Sequence, residues 1–565
     1  MTRKDPPVIF LLLLLYAGFL TACNNSNPPP QTDIAATPEE LDPKVTEVLQ
    51  SAVKFAMGNN GVLVDSTHLD NINLVEQVYQ KKSYKAVWSE KEHWKPLADS
   101  MFTFIENAKL YGLFPQDYHF NSLDTIKKIF SGDSLGRAQR RDAVIWANAD
   151  MMLTDAFLHI VRDLKLGRLP KDSVTLRADS VLTDEFYVNR LALSQKYNSL
   201  TKVFHALEPK HEGYIALKNA LPGFLDSADD RPFTVVPSPK TKNPDFKKIL
   251  QKRLFEGGYV ASDTIPADSL TIAEGLKKFQ RAKNITVDGR AGEETVRVMN
   301  LTDKDRFVRI AISLDRYKLL PEQMPERFVW VNLPSFYMQF WEFDTLRLTS
   351  KIICGKPNTR TPLLTSAISE LVTYPQWTIP ESIIAKEIIP GQKKNPEYLA
   401  KKGYSLINSK GEEVSPDSVN WSKYTKGIPY KVVQGSGDDN ALGILKFNFP
   451  NKYAVYLHDT NQRYLFSQST RSLSHGCVRV QDWEKLAYNI VRFDNKELDV
   501  DGPSPAEDSM SSWLKKKERH SIWVRNKLPV YIRYFTTEAK GGRIAFYDDI
   551  YGEDKLLQQR YFAGK

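Results

Sequence analysis

The spacing of apolar residues changes several times along this chain, and the changes divide it. Val8 to Leu20 is a run of apolar residues broken only by small or aromatic ones, behind Arg3 and Lys4 with Asp5 between. It is too short to cross a bilayer as a helix and has the length of a signal-peptide core. Asn24 to Lys44 has no period and is rich in Asn, Pro, Thr and Glu, the composition of a tether. From about Val45 to Leu225 small and apolar residues recur at steps of three and four. Ile145, Ala149, Met152, Ala156, Ile160 and Leu164 form one stripe of a long helix, which Gly167 is placed to end. Residues 45–225 carry no reactive cluster and read as a helical supporting domain. Asp-Asp-Arg-Pro and Pro-Ser-Pro mark 226–245 as a linker.

Residues 246–301 form a compact helical pattern. Ile249, Leu250, Arg253 and Leu254 begin it, Gly257-Gly258-Tyr259 ends its first helix, and Leu276, Phe279 and Gln280 sit on a second. Asp288-Gly289, Gly292 and Thr295 follow. After a connector at 302–326 the period falls to two. Phe328 to Trp341 and Leu346 to Ile353 alternate, with a hairpin expected at Asp344-Thr345. Strand-like runs recur at Leu371 to Ile379, Gly443 to Phe449, Ala454 to His458 and Pro529 to Phe535, so 327–565 reads as a β-rich domain. The polar stretch 390–434 has the length of a lid or binding loop. The fold class is multidomain α+β.

With 565 residues the chain is too long for one core, and three or four domains are expected. A net charge of +9 is a weak lean on a chain this long. It suits an acidic neighbour and does not argue for nucleic acid. After the leader, no stretch reads as apolar enough to span a membrane.

The chain has nine histidines and three cysteines, and Ser474-His475-Gly476-Cys477-Val478-Arg479-Val480 gathers one of each, with His458 upstream. A thiolate nucleophile needs a base for its proton and N–H groups for an oxyanion. If this window is extended, Cys477 and Arg479 share one face and Val478 and Val480 the other, so the valines face a core and the thiol a cleft. Helical spacing resumes at Trp483, Leu486, Ala487 and Ile490. A thiol near a helix start, beside imidazoles and an arginine, is expected to have a depressed pKa. Spacing alone leaves either His458 or His475 as the base. A His₂Cys zinc site is the competing reading, but no HExxH or CxxC accompanies the window, and no metal or cofactor is expected. A disulfide between Cys354 and Cys477 would silence the thiol, so both are read as free, with Cys354 a core residue in Ile352-Ile353-Cys354.

Three resemblances add to this. Leu20-Thr21-Ala22-Cys23 resembles a bacterial lipobox. That implies cleavage of 1–22, lipidation of Cys23, membrane anchoring through 23–44 and a periplasmic location, with Asn24 favouring the outer membrane. Residues 246–301 are similar to a three-helix peptidoglycan-binding domain through Leu254, Gly258-Tyr259, Phe279-Gln280, Asp288-Gly289, Gly292 and Thr295. His458 and Ser474-His475-Gly476-Cys477, with Cys354-Gly355-Lys356-Pro357, Thr361-Pro362 and Trp377-Thr378-Ile379-Pro380, resemble the L,D-transpeptidases with a YkuD-type catalytic domain. The whole chain resembles their large branch, with an N-terminal scaffold and a capping insertion, here 390–434. The resemblance implies that Cys477 attacks a tetrapeptide stem of peptidoglycan and passes the acyl group to a neighbouring amine as a 3→3 cross-link. It implies His458 as the base, held by the Asp459 carbonyl, and His475, Gly476 and Cys477 around the oxyanion. Ser474, Arg479, Tyr456 and Trp377 would line the substrate site. Stem peptides and other wall-synthesis proteins are the implied partners. An L,D-carboxypeptidase, a transferase onto a protein amine and a non-catalytic wall-binding lipoprotein remain alternatives.

Overall fold

The computed structural model describes residues 28–131, 137–172, 174–177, 181–229, 231–283, 285–496 and 505–564; the leader and Cys23 lie outside them. The chain divides into two units, one of Met1–Arg168 with Ala178–Pro209 and one of Leu169–Arg177 with Lys210–Lys565.

The first unit is built around the helix Ala143–Lys165, which Asp142 caps by accepting from the Val144 N–H. By length and composition this helix could cross a membrane, which corrects the expectation that nothing beyond the leader would. Its surroundings explain the apolar character. Ala149, Met152, Ala156, Ile160 and Leu164 are buried as the stripe predicts, and so are Met151, Leu153, Phe157 and Leu158 on the other sides. A helix apolar all round belongs inside a core. Its buried acids are satisfied: Asp150 accepts from the Tyr79 hydroxyl and the Val87 and Trp88 N–H groups, and Asp163 from the Tyr118 hydroxyl.

In the second unit, helices Phe246–Glu256, Ser269–Ala282 and Glu293–Met299 enclose Leu250, Leu254, Ile272, Leu276, Phe279 and Val296. Gln280 is the hub. Its amide donates to Asp288, to the Arg290 carbonyl and to Thr295, and its carbonyl accepts from the N–H groups of Asp288 and Gly289. Gln280, Asp288-Gly289 and Thr295 are therefore one network around the buried Gln280 amide. Val236, in the segment expected as a linker, joins this core and bonds both ways with the Asn300 side chain. The expected connector holds the helix Asp303–Tyr317, which opens with a Thr302–Asp305 capping box.

The β-rich region is a nine-stranded sheet in the order Ser472–Ser474, Thr345–Gly355, Val478–Val480, Leu457–His458, Leu445–Asn448, Leu364–Thr373, Ser521–Arg533, Arg327–Asn332 and Tyr337–Glu342. Tyr337–Glu342 also pairs with Thr345–Gly355, so the sheet closes on itself. The alternating run Phe328 to Trp341 is two strands, because the chain reverses at 333–336, where Phe336 takes φ 56°. The next hairpin turns on Phe343-Asp344, both at positive φ, one residue before the expected pair. The core lies under Val329, Val331, Phe340, Leu371, Phe447, Val478 and Val480.

A second sheet, in the order Trp377–Thr378, Lys431–Gln434, Tyr404–Ile407 and Glu413–Val414, carries its own core of Ile379, Ile383, Ile388, Leu399, Leu406 and Val432. This compact insertion begins at Trp377, earlier than Pro390, because Trp377–Thr378 pairs with the strand that ends it. A π-helical turn at Ile384–Ile388 lies within it.

Gln280→Ala should leave two part-buried N–H groups without their protein acceptor, at roughly 1 kcal/mol each. Hydrogen exchange at Asp288 and Gly289 should then become much faster, while exchange in the sheet stays unchanged.

Candidate active site

Strand pairing places the reactive groups. The strand Leu457–His458 runs parallel to Val478–Val480, with His458 opposite Arg479. On its other side it runs antiparallel to Leu445–Asn448, with Lys446 opposite His458. Residues opposite one another in a ladder project to the same face. Lys446, His458 and Arg479 therefore form one row, while Leu445, Phe447, Leu457, Val478 and Val480 turn into the core. The Val478 N–H donates to the Tyr456 carbonyl at 3.1 Å, which sets Tyr456 beside Cys477 one step along the row. The Lys446 Nζ stands 4.0 Å over the Tyr456 ring, and the Tyr456 and His458 rings meet edge to face at 5.6 Å.

Electrostatics follow from burial. Burial pushes the Cys477 thiol above its ordinary pKa; Tyr456, Lys446 and Arg479 pull it back only in part. The depressed pKa expected from the sequence is thus not the resting condition, since the following helix starts only at Trp483 and desolvation outweighs the neighbours. Burial and then the Arg479 charge hold His458 down at about 3, with Lys446 adding to them; the backbone of Asp459 and Leu442 acts the other way. Its Nδ1 is buried without a hydrogen-bond partner among the described residues. The imidazole is therefore neutral at ordinary pH, the form that can accept a proton. Asp459 braces the next turn, accepting from the Ile444 N–H and from Arg463. Gly443 is required there, since a Cβ would lie 2.3 Å from the Asp459 carboxylate.

The loop bearing Cys477 is held from below. The Ser474 hydroxyl donates to the Cys477 carbonyl at 2.6 Å and accepts from the Gly476 N–H at 3.1 Å. Ser474 is 3% exposed, so it shapes the loop and does not line the cleft as expected. Gly476 sits at φ 130°, and its carbonyl accepts from the Thr361 hydroxyl at 2.7 Å. The same Thr361 oxygen accepts from the Gly355 N–H, and the Tyr551 hydroxyl donates to the Gly355 carbonyl. The Gly355 and Thr361 elements are the frame on which Gly476 rests.

His475 is exposed and points elsewhere, pairing at 2.5 Å with Glu387 of the insertion that begins at Trp377. Arg479 donates to Gln462 and keeps a buried Nε without a partner among the described residues. Trp377 lies near enough to the Tyr456 hydroxyl to favour its ionised form, and packs edge-on against Tyr404. Cys354 is fully buried with its thiol pushed up to about 12, a core group. Among the described residues no group of three or more His, Cys, Asp or Glu is placed to hold a metal ion. Sequence reasoning missed Lys446 and Glu387. The alternation Leu445-Lys446-Phe447 places Lys446 on the outer face, but its register against His458 is a tertiary fact.

Lys446 lowers the thiol pKa, so Lys446→Met should move the midpoint of Cys477 alkylation by iodoacetamide to higher pH. A midpoint that stays put would mean that the ammonium does not act on the thiol.

Comparison with known proteins agrees with this geometry. Residues 326–526 match the L,D-transpeptidase catalytic domain (YkuD), and residues 73–221 match a scaffold domain. A Haemophilus influenzae protein named "Putative L,D-transpeptidase" is 34% identical over 263 residues, 46% of this chain and 50% of that protein. The chain thus spans about half the length of that curated relative. An L,D-transpeptidase from Stackebrandtia nassauensis aligns over 54% of this chain and 97% of its own at 14% identity and a TM-score of 0.17. One from Mycobacterium smegmatis aligns over 37% and 58% at 12% identity and a TM-score of 0.16. Scores this low add nothing to the two domain matches. The chain therefore carries an L,D-transpeptidase catalytic domain together with a scaffold domain.

Proposed function

We propose that this protein is a cysteine-dependent L,D-transpeptidase that forms 3→3 cross-links between peptidoglycan stems. The observation that carries the reading is the row on adjacent strands, where a thiol stands one step from an imidazole that burial keeps neutral. Cys477 gives its proton to His458, and its sulfur attacks the carbonyl between the third and fourth residues of a donor tetrapeptide stem. The C–N bond breaks, His458 returns the proton to the departing amine, and the terminal D-alanine leaves. A side-chain amine of a second stem then attacks the thioester. Its proton passes through His458 back to the thiolate, and the new amide is the cross-link. Lys446 and Arg479 make thiolate formation less unfavourable in a site where burial opposes it. The Gly476 N–H is already bonded to Ser474, so the N–H groups of His475 and Cys477 are the donors for the oxyanion. His475 holds the capping insertion through Glu387 and takes no proton from Cys477.

The fragment Leu20-Thr21-Ala22-Cys23 supports a lipidated, periplasmic protein held at a membrane through Cys23, the outer membrane being favoured by Asn24. The three-helix unit supports attachment to the wall.

Purified full-length protein incubated with disaccharide-tetrapeptide should yield cross-linked dimer by mass spectrometry, and Cys477→Ala should yield none. His458→Gln should lose at least about a hundredfold in rate, and His475→Ala far less. A carbapenem should add its mass to Cys477. Trimmed monomer alone would make the protein a carboxypeptidase, and full activity in Cys477→Ala would end the thioester reading.

A further inference from the structure

Away from the catalytic row, the second unit holds a cleft of about 360 Å³. It lies where the segment after Ser227, the three-helix unit and the helix Asp303–Tyr317 meet. Three cations converge on it from three elements. Arg253 donates to the Met299 carbonyl and lies 4.1 Å over the Phe233 ring. Arg306, 5% exposed, donates to Asp303 and to the Val298 carbonyl. The Lys283 N–H donates to the Phe279 carbonyl, but its ammonium makes no hydrogen bond or ion pair among the described residues, and Arg306 and Arg253 both oppose its charge.

The carboxylates nearby are already engaged. Asp303 serves Arg306 and the Asp229 N–H, Asp229 is held by Arg231, and Glu256 accepts from the N–H and hydroxyl of Thr234. Among the described residues lining the cleft, with Asp229 and Arg231 cancelling, Arg253, Lys283 and Arg306 face Glu256 and Asp303, which leaves one positive charge. A half-buried ammonium that forms no ion pair among the described residues and stands near two guanidinium groups is poised to receive an anion. Tyr259 and Phe279, packed edge to face, form an apolar wall beside it. One uncompensated charge next to an aromatic wall suits a monoanionic carboxylate on a small organic ligand better than a phosphate dianion.

We propose that this cleft is a second, non-catalytic binding site for a carboxylate, with Lys283 as the group that closes on it. Resting on the transpeptidase reading, the natural source is the terminal carboxylate of a stem peptide; a free small acid shares the chemistry. Binding at Lys283 would hold a strand of wall on the same unit as the catalytic sheet.

The free amine reports the site. Burial and the two arginines hold Lys283 at about 8, with Asp303 opposing them, so at pH 8 it is about half unprotonated. It should acetylate with acetic anhydride on the order of tenfold faster than an ordinary surface lysine. A carboxylate raises the pKa and covers the amine. In full-length Cys477→Ala protein, peptide mapping should show Lys283 protected by a tetrapeptide stem but not by its C-terminal amide. Arg253→Met should slow labelling of the free protein by relieving the repulsion. Protection by acetate at equal concentration would assign the site to free acids; protection by the amide, by inorganic phosphate alone, or by nothing would overturn it. Cross-linking by the unsubstituted protein without protection at Lys283 would keep the function and remove the site. Protection without turnover would do the reverse.

Discussion

Two strands of two and three residues, Leu457–His458 and Val478–Val480, determine what the sheet can do chemically. Their parallel register sets His458 beside Arg479, and the antiparallel neighbour adds Lys446 on the other side. A slip of one residue would turn His458 into the core and Leu457 out to the cleft. Because the imidazole is buried between two cations, its protonated form is disfavoured and the ring rests neutral. The thiol is subject to the same burial with the opposite consequence, since for sulfur the charged form is the anion. The resting site therefore holds two neutral groups, and the cations act when charge develops.

The loop above that row depends on residues distant in sequence. Thr361, Gly355 and Tyr551 form a chain of hydrogen bonds ending on the Gly476 carbonyl, and Ser474 closes the loop from inside. Gly355 has to be glycine, because a Cβ there would lie 2.1 Å from the Thr359 carbonyl. Much of what looks like a catalytic signature is thus scaffolding that fixes the direction of one sulfur. The insertion that begins at Trp377 is held by another logic, a surface contact between His475 and Glu387, next to a cleft lined by Lys356 and Lys386.

Much of this was legible in the chain. Alternation placed Val478 and Val480 inward and Cys477 and Arg479 outward, and glycines marked the helical unit, whose Gln280 network accounts for Asp288-Gly289 and Thr295. The missed features are tertiary. The buried helix Ala143–Lys165 has an apolar composition that a sequence scan cannot tell from a membrane span. The turn at 333–336 was legible in Pro334, but apolar residues on both sides of it let the two strands read as one alternating run. The thiol pKa was expected low from its neighbours in sequence, but burial is a property of the folded site. Lys446 was invisible because no local rule links it to a residue twelve positions on. Ser474 was expected in the cleft, yet its hydroxyl finds partners within its own loop.

The central claim is that His458 is neutral in the free protein because burial and Arg479 disfavour its cation. NMR titration of ring-labelled histidines, with the His458 signal identified by its loss in His458→Gln, tests this directly. The ring should remain neutral from pH 7 down to at least pH 5, ionising only near its value of about 3. Protonation at the ordinary histidine value, near 6.5, would contradict the account.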